Sequence, residues 1–88
     1  MKAVLIGESS GASREAIMAV HPRHKALVDT FVARGAVIGI GQFTDGADMA
    51  MFKMREHAEA ISREDPFILE RIVKSFVIKE WRDSLLPE

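Results

Sequence analysis

Cysteine is absent from the 88 residues of this sequence. The absence excludes disulfides and thiolate metal sites as sources of stability, and it excludes a cysteine nucleophile and the Cys-x-x-Cys loop of a metal chaperone. A domain of this length buries only about 60–65% of the surface that its unfolded chain exposes. We therefore expect an interface between two copies of the chain to contribute to stability.

An excess of charge of either sign is also absent, because 12 Lys and Arg stand against 13 Asp and Glu, for a net charge of −1. The charges are scattered, which disfavours a nucleic-acid-binding surface. No apolar run approaches the roughly 20 residues that span a bilayer. The apolar stretch at residues 3–6 is too short for the core of a signal peptide. We expect one domain, residues 1–88, in a cytoplasmic protein that binds neither nucleic acid nor membrane.

The hydrophobic pattern predicts elements in the order β-α-β-β-α-β. Strands are predicted at residues 2–7, 36–43, 48–54 and 74–82. Helices are predicted at about 22–34 and at 55–63, with shorter helical turns at 14–20 and 65–72. Gly35 is placed to end the longer helix, and Asp45-Gly46 is typical of a hairpin turn.

The longer helix is predicted to begin at Pro22, because proline suits the first helical position, where its missing N–H costs nothing. An apolar stripe follows at the spacing of one helical face: Leu27, Val28, Phe31 and Val32. His24 falls near the middle of that stripe, in the predicted first turn. The positive end of the helix dipole and burial would both favour neutral imidazole, which can act as a general base.

This order of elements is typical of a ferredoxin-like α+β fold, in which a four-stranded antiparallel sheet carries two helices on one face. The first strand is apolar on both sides, with Ala3 and Leu5 on one and Val4 and Ile6 on the other. Two helices cover only one of these faces, so the other needs a different cover. We therefore predict a homodimer whose two sheets lie face to face.

Three short motifs give the chain a resemblance to the YCII-related family, and the resemblance covers nearly the whole sequence. They are Pro22 and His24 in the first helix, Gly35 with the strand after it, and Asp65-Pro66-Phe67 before the last strand. The family usually has Arg-Pro-x-His where this chain has His21, and often Gly-Pro where this chain has Gly41-Gln42. The resemblance implies a dimeric α+β barrel of ferredoxin-like subunits.

The resemblance also implies that His24 and Asp65 meet in a pocket between sheet and helices and form a catalytic dyad. By analogy with muconolactone-isomerase-like barrels and a dehydrochlorinase in the family, the chemistry is that of a lyase or isomerase. Its substrates are expected among small organic acids, lactones and ring-cleavage products. No cofactor and no metal are expected. Four further residues are predicted to bind substrate: Arg23, His21, Ser9 and Gly41.

Each of these residues has a simpler alternative. His24 can be a core histidine hydrogen-bonded to a backbone carbonyl, and Asp65 can be the N-cap of a turn that begins at Pro66. The second role does not exclude the dyad. A further alternative is a metal site at His21, His24 and Asp65. Because Pro22 is expected to break the helix between the two histidines, they need not lie on one helical face. His57 lies among glutamates and is expected to have no role.

Two other functions share this order of elements. A non-catalytic ligand-binding or regulatory module would use the same pocket without turnover. An RNA-recognition domain needs basic and aromatic residues on its central strands. Residues 48–54 offer one phenylalanine and one lysine, which makes RNA binding the weakest of the three hypotheses.

Overall fold

The computed structural model describes residues 1–87 and contains four strands and three helices. In chain order they are β1 Lys2–Ser9, α1 Arg14–Ala33, β2 Val37–Gln42, β3 Asp48–Phe52, α2 Arg55–Glu64, α3 Pro66–Leu69 and β4 Val73–Trp81. The strands form one antiparallel sheet in the order β2-β3-β1-β4. The predicted ferredoxin-like α+β fold is confirmed.

The first helix differs from its prediction, because α1 runs without a break through Pro22. It begins after Ser13, whose side chain accepts a hydrogen bond from the backbone N–H of Ala16 at 3.1 Å. Proline inside a helix loses one backbone hydrogen bond and costs about 3 kcal/mol. One continuous inward stripe on both sides of Pro22 offsets this cost by packing: Ile17, Val20, His21, His24, Leu27, Val28 and Phe31. Gly35 follows the helix with a φ of 71°, as expected for a glycine stop.

The strand boundaries differ from prediction by one or two residues. β1 continues to Ser9 through a bulge opposite β4, where a loop from Gly7 was expected. β3 ends at Phe52 instead of residue 54, and the turn after Asp65 forms the short helix α3. These shifts come from cross-strand pairing, which a single sequence does not reveal.

The core lies between the helices and one face of the sheet. Ala3 and Phe52 are opposite each other in the β1–β3 pair, and both are fully buried. Phe31 of α1 packs into the same cluster. Burying one such phenylalanine contributes about 1.5–3 kcal/mol. This cluster holds α1 and α2 against the sheet and so determines where their remaining inward residues lie.

The other face of the sheet, which we call the open face, carries no helix in the described part of the chain. Residues opposite one another in neighbouring strands share a face, so Val4 lies beside Met51, and Ile6 lies between Met49 and Val77. Val77 is 46% exposed and Trp81 is 37% exposed. Within residues 1–87, none of the helices combines the length and the apolar character of a membrane span.

Candidate active site

A cavity of about 350 Å³ lies between the helix-covered face of the sheet and the helices α1 and α3. It is at the end of the sheet where β1 and β2 finish and β3 and β4 begin. Its polar lining residues are Ser9, His21, His24, Gln42, Asp48 and Asp65, and most of the rest are apolar. An apolar cavity of this size with a few converging polar groups is typical of a site for a small molecule.

The structure brings His24 and Asp65 together in this cavity. His24 Nδ1 lies 2.9 Å from Asp65 Oδ1, within hydrogen-bonding distance. Both side chains are largely shielded from solvent, with 18% of His24 and 12% of Asp65 exposed. The hydrogen-bond partner found for His24 is therefore a carboxylate, where the simpler alternative expected a backbone carbonyl.

Asp65 has two roles at once, because of its place between α2 and α3. It is the N-cap of α3, and its Oδ1 also accepts a hydrogen bond from the backbone N–H of Phe67 at 2.9 Å. Pro66 occupies the first turn of α3, where no donor is needed. The cap fixes the carboxylate on the backbone, so that its position does not depend on His24.

Phe67 holds the His24 ring from a second direction. The two rings are stacked, with centroids 4.1 Å apart and an interplanar angle of 17°. His21, one helical turn before His24, lies 6.0 Å from the His24 ring and 6.2 Å from Phe67. Hydrogen bond and stacking together fix the orientation of the His24 imidazole, as a positioned base requires.

The position of His24 in α1 corrects the expectation that the positive end of the helix dipole acts on its imidazole. Since α1 begins at Arg14, His24 lies near the middle of a 20-residue helix and not in its first turn. The dipole acts mainly at the ends of a helix. The contacts that orient His24 are therefore those with Asp65 and Phe67.

Asp48 is a further ionisable residue of the cavity that the sequence did not single out. It is the first residue of β3, opposite Gly7 and Gln42, and its half-buried carboxylate faces the helices. Burial raises the pKa of Asp48, a protonated His24 lowers it, and the negative charge of Asp65 raises it further. Alternation from the buried Ala50 and Phe52 is the signal that could have placed Asp48 on this face.

Of the four residues predicted to bind substrate, three line the cavity and one does not. Ser9, Gly41 and His21 line the cavity. Arg23 does not; its guanidinium is exposed and pairs with Glu70 of the segment after α3, which raises the pKa of Arg23 and lowers that of Glu70. The reason is helical geometry, since Arg23 and His24 point in directions about 100° apart.

Metal ligation at this site was the third alternative. Among residues 1–87, no three His, Asp or Glu side chains are arranged to hold a metal ion. His21 contributes a ring neighbour to His24 and not a shared set of ligands.

Comparison with known proteins gives a likeness of fold. No protein-family model and no curated protein matches the sequence. Among solved structures, the chain is similar to the 5-chloro-2-hydroxyhydroquinone dehydrochlorinase TftG from Burkholderia phenoliruptrix AC1100, in a complex with 2,5-dihydroxybenzoquinone. The TM-score is 0.75 at 12% sequence identity, over 93% of this chain and 94% of that one. A small-molecule enzyme thus has this fold over almost its whole length.

Proposed function

We propose that the protein is a small-molecule enzyme of the YCII-related type in which His24 and Asp65 act as a general acid–base dyad. The observation that carries the proposal is the 2.9 Å contact between His24 Nδ1 and Asp65 Oδ1 inside a cavity of about 350 Å³. The fold shared with a dehydrochlorinase supports it by analogy.

The contact supports Nε2 of the imidazole as the base in this proposal. An ionised Asp65 accepts hydrogen bonds only, so Nδ1 carries a proton and donates it. In the neutral ring the lone pair then lies on Nε2. Asp65 keeps this tautomer and stabilises the imidazolium that forms when Nε2 takes a proton, as the acid of a hydrolase triad does.

The proposed reaction begins with proton transfer from a carbon beside a carbonyl to Nε2. The electrons of the broken C–H bond form an enolate. In an isomerisation, the imidazolium returns the proton to another carbon of the enolate. In an elimination, the electron pair expels a leaving group from the adjacent carbon, and the proton is later lost to water. Both reactions need one base of fixed orientation, which matches the two contacts of His24.

Exchange of substrate hydrogen tests this function. Levulinate, γ-valerolactone and cyclohexanone are screened first by thermal shift, and each compound that stabilises the wild type is incubated with it in D₂O. We expect loss of the C–H signal beside the carbonyl in proton NMR, slowed about 10²–10⁴-fold in His24→Ala. His57→Ala is the matched control, because His57 of α2 does not line the cavity.

The outcomes separate the hypotheses for this fold. Exchange that needs His24 but not His57 supports the dyad. Binding that depends on His24 without exchange contradicts catalysis and favours the ligand-binding or regulatory module. No stabilisation by any of the three compounds, or equal exchange by wild type and His24→Ala, contradicts the proposal.

We also propose that two copies of the chain associate through their open faces to form the dimeric barrel. The support is a central row of apolar residues that no described element covers, formed by Val4, Ile6, Met49 and Met51. An apolar patch of this kind marks an interaction surface. The cytoplasmic location of the protein, its single-domain organisation and the absence of a nucleic-acid partner remain predictions.

Sedimentation equilibrium tests the dimer. We expect twice the chain mass at micromolar concentration for the wild type and the chain mass for Ile6→Asp, since two-fold symmetry places this charge twice in one interface. Thr44→Asp, in the exposed turn between β2 and β3, is the control and should remain dimeric. A monomeric wild type would contradict the proposal.

A further inference from the structure

The candidate active site contains two carboxylates, those of Asp48 and Asp65, and lacks a lysine or arginine among its described lining residues. The only groups there that can carry positive charge are the histidines His21 and His24. A carboxylate ligand would therefore enter a half-buried space beside two carboxylates without an arginine or lysine to pair with it.

Two cations that are sequence neighbours of lining residues are engaged elsewhere. Arg23 pairs with Glu70, and Lys74 lies 3.4 Å from Glu8. The charges that act on the pKa of Asp48 are those of His24 and Asp65, with no lysine or arginine among them. No side-chain hydrogen bond or ion pair to Asp48 is found within residues 1–87. Its carboxylate thus remains free for a ligand, whereas Oδ1 of Asp65 already accepts two hydrogen bonds.

We propose that Asp48 determines the charge selectivity of the cavity, which takes an uncharged ring compound bearing hydroxyl or carbonyl groups and rejects its carboxylated analogue. This inference rests on the proposed function and narrows its substrates. Of the classes expected from the resemblance, it favours neutral lactones and ring compounds over organic acids. The hydrogen-bonding groups of Asp48 and Gln42, on neighbouring strands, face ligand hydroxyls, while Phe67 and Ile40 offer apolar contact to the ring.

The two carboxylates of the cavity, those of Asp65 and Asp48, have different roles in this arrangement. Asp65, fixed as a cap, serves His24. Asp48 lies on the sheet, and no side-chain hydrogen bond or ion pair to its carboxylate is found within residues 1–87. A neutral ligand hydroxyl can donate to ionised Asp48 or accept from protonated Asp48. A ligand carboxylate can do neither without repulsion or proton uptake, and this difference produces the selectivity.

Matched ligand pairs test the inference. The pairs are cyclohexanone with 4-oxocyclohexanecarboxylate and 1,4-dihydroxybenzene with 2,5-dihydroxybenzoate, the diols being kept reduced under nitrogen. Binding to the full chain is followed from the amide signals of Gly7 and Ala50, which border the cavity. We expect the wild type to bind each neutral compound at least about tenfold more tightly than its carboxylate. In Asp48→Asn this ratio should fall about tenfold.

A charge-matched control distinguishes a local effect from a change of net charge. Asp29→Asn removes the same charge from the exposed side of α1, where Asp29 pairs with Lys25, and should keep the wild-type ratio. Carboxylates that bind the wild type as tightly as the neutral compounds would overturn the inference, as would an unchanged ratio in Asp48→Asn. Either result leaves the dyad intact if the exchange of substrate hydrogen still needs His24. No binding of any compound at about 10 mM would contradict both the inference and the proposed function.

Discussion

The two faces of the sheet have similar apolar strands but different covers. On the helix-covered face, Ala3 and Phe52 are fully buried by α1 and α2, and polar groups are concentrated in one cavity at the end of the sheet. On the open face, the neighbouring residues Val4 and Met51 stay partly exposed. Alternation along a strand thus produces a core on one side and an uncovered surface on the other. In our proposals, catalysis takes place on the first side and association on the second.

Charged substitutions on adjacent residues of β3 give the largest expected contrast between the faces. Phe52→Asp places a carboxylate in the core and should cost more than about 4 kcal/mol, enough to abolish cooperative unfolding in a domain of this size. Met51→Asp should retain the circular dichroism spectrum of the native protein while lowering the sedimenting mass. If Met51→Asp unfolds to the same extent, the two faces do not differ in the way described.

Substitutions of Asp65, on the helix-covered face, should separate its structural role from its chemical role and should have a smaller effect on stability. Asp65→Ala removes the cap of α3 and the partner of His24, and should lower the free energy of unfolding by about 1–2 kcal/mol. Asp65→Asn keeps a cap oxygen and should restore most of that stability. It should not restore the exchange of substrate hydrogen, because an amide does not stabilise the imidazolium of His24 as a carboxylate does. Urea unfolding measures the first effect, and Asn no more stable than Ala would contradict the capping role.

Asp48 gives the smallest expected effect, and the effect depends on pH. Because burial raises the pKa of Asp48 in the folded state, the native protein binds this proton more tightly than the unfolded chain does. Its contribution to stability therefore declines as the pH rises from the unfolded value, near 3.9, through the raised folded value. Asp48→Asn should raise Tm by about 1–3 °C at pH 7, with the difference shrinking toward pH 4. A lower Tm for Asp48→Asn at pH 7 would show instead that the carboxylate stabilises the fold.

Periodicity was sufficient to predict the fold, because four apolar strand patterns and two helix patterns allow few arrangements. It was insufficient at Pro22, where local preference predicts a helix start and packing of the stripe from Ile17 to Phe31 carries the helix through. Local preference covers about one turn, whereas the packing of α1 extends over 20 residues. The longer-range term decides the outcome.

Only part of the site was predictable from the sequence. His24 and Asp65 were found through short motifs and a resemblance, not through spacing, since they are 41 positions apart in the chain. Asp48 was missed because an aspartate after a hairpin turn is ordinarily a solvent-exposed residue. Alternation along β3 could have placed Asp48 on the helix-covered face, and the register of β3 against β1 and β2 adds that it lies opposite Gly7.

The protonation state of the His24 ring provides the most direct test of the dyad. Two-bond ¹H–¹⁵N correlation spectra of the full chain, at a pH where the ring is neutral, show which nitrogen carries the proton. We predict a proton on Nδ1 and a bare Nε2, as the 2.9 Å contact with Asp65 requires. A proton on Nε2 would mean that Asp65 does not hold the ring as an acceptor, and the proposed base would be lost.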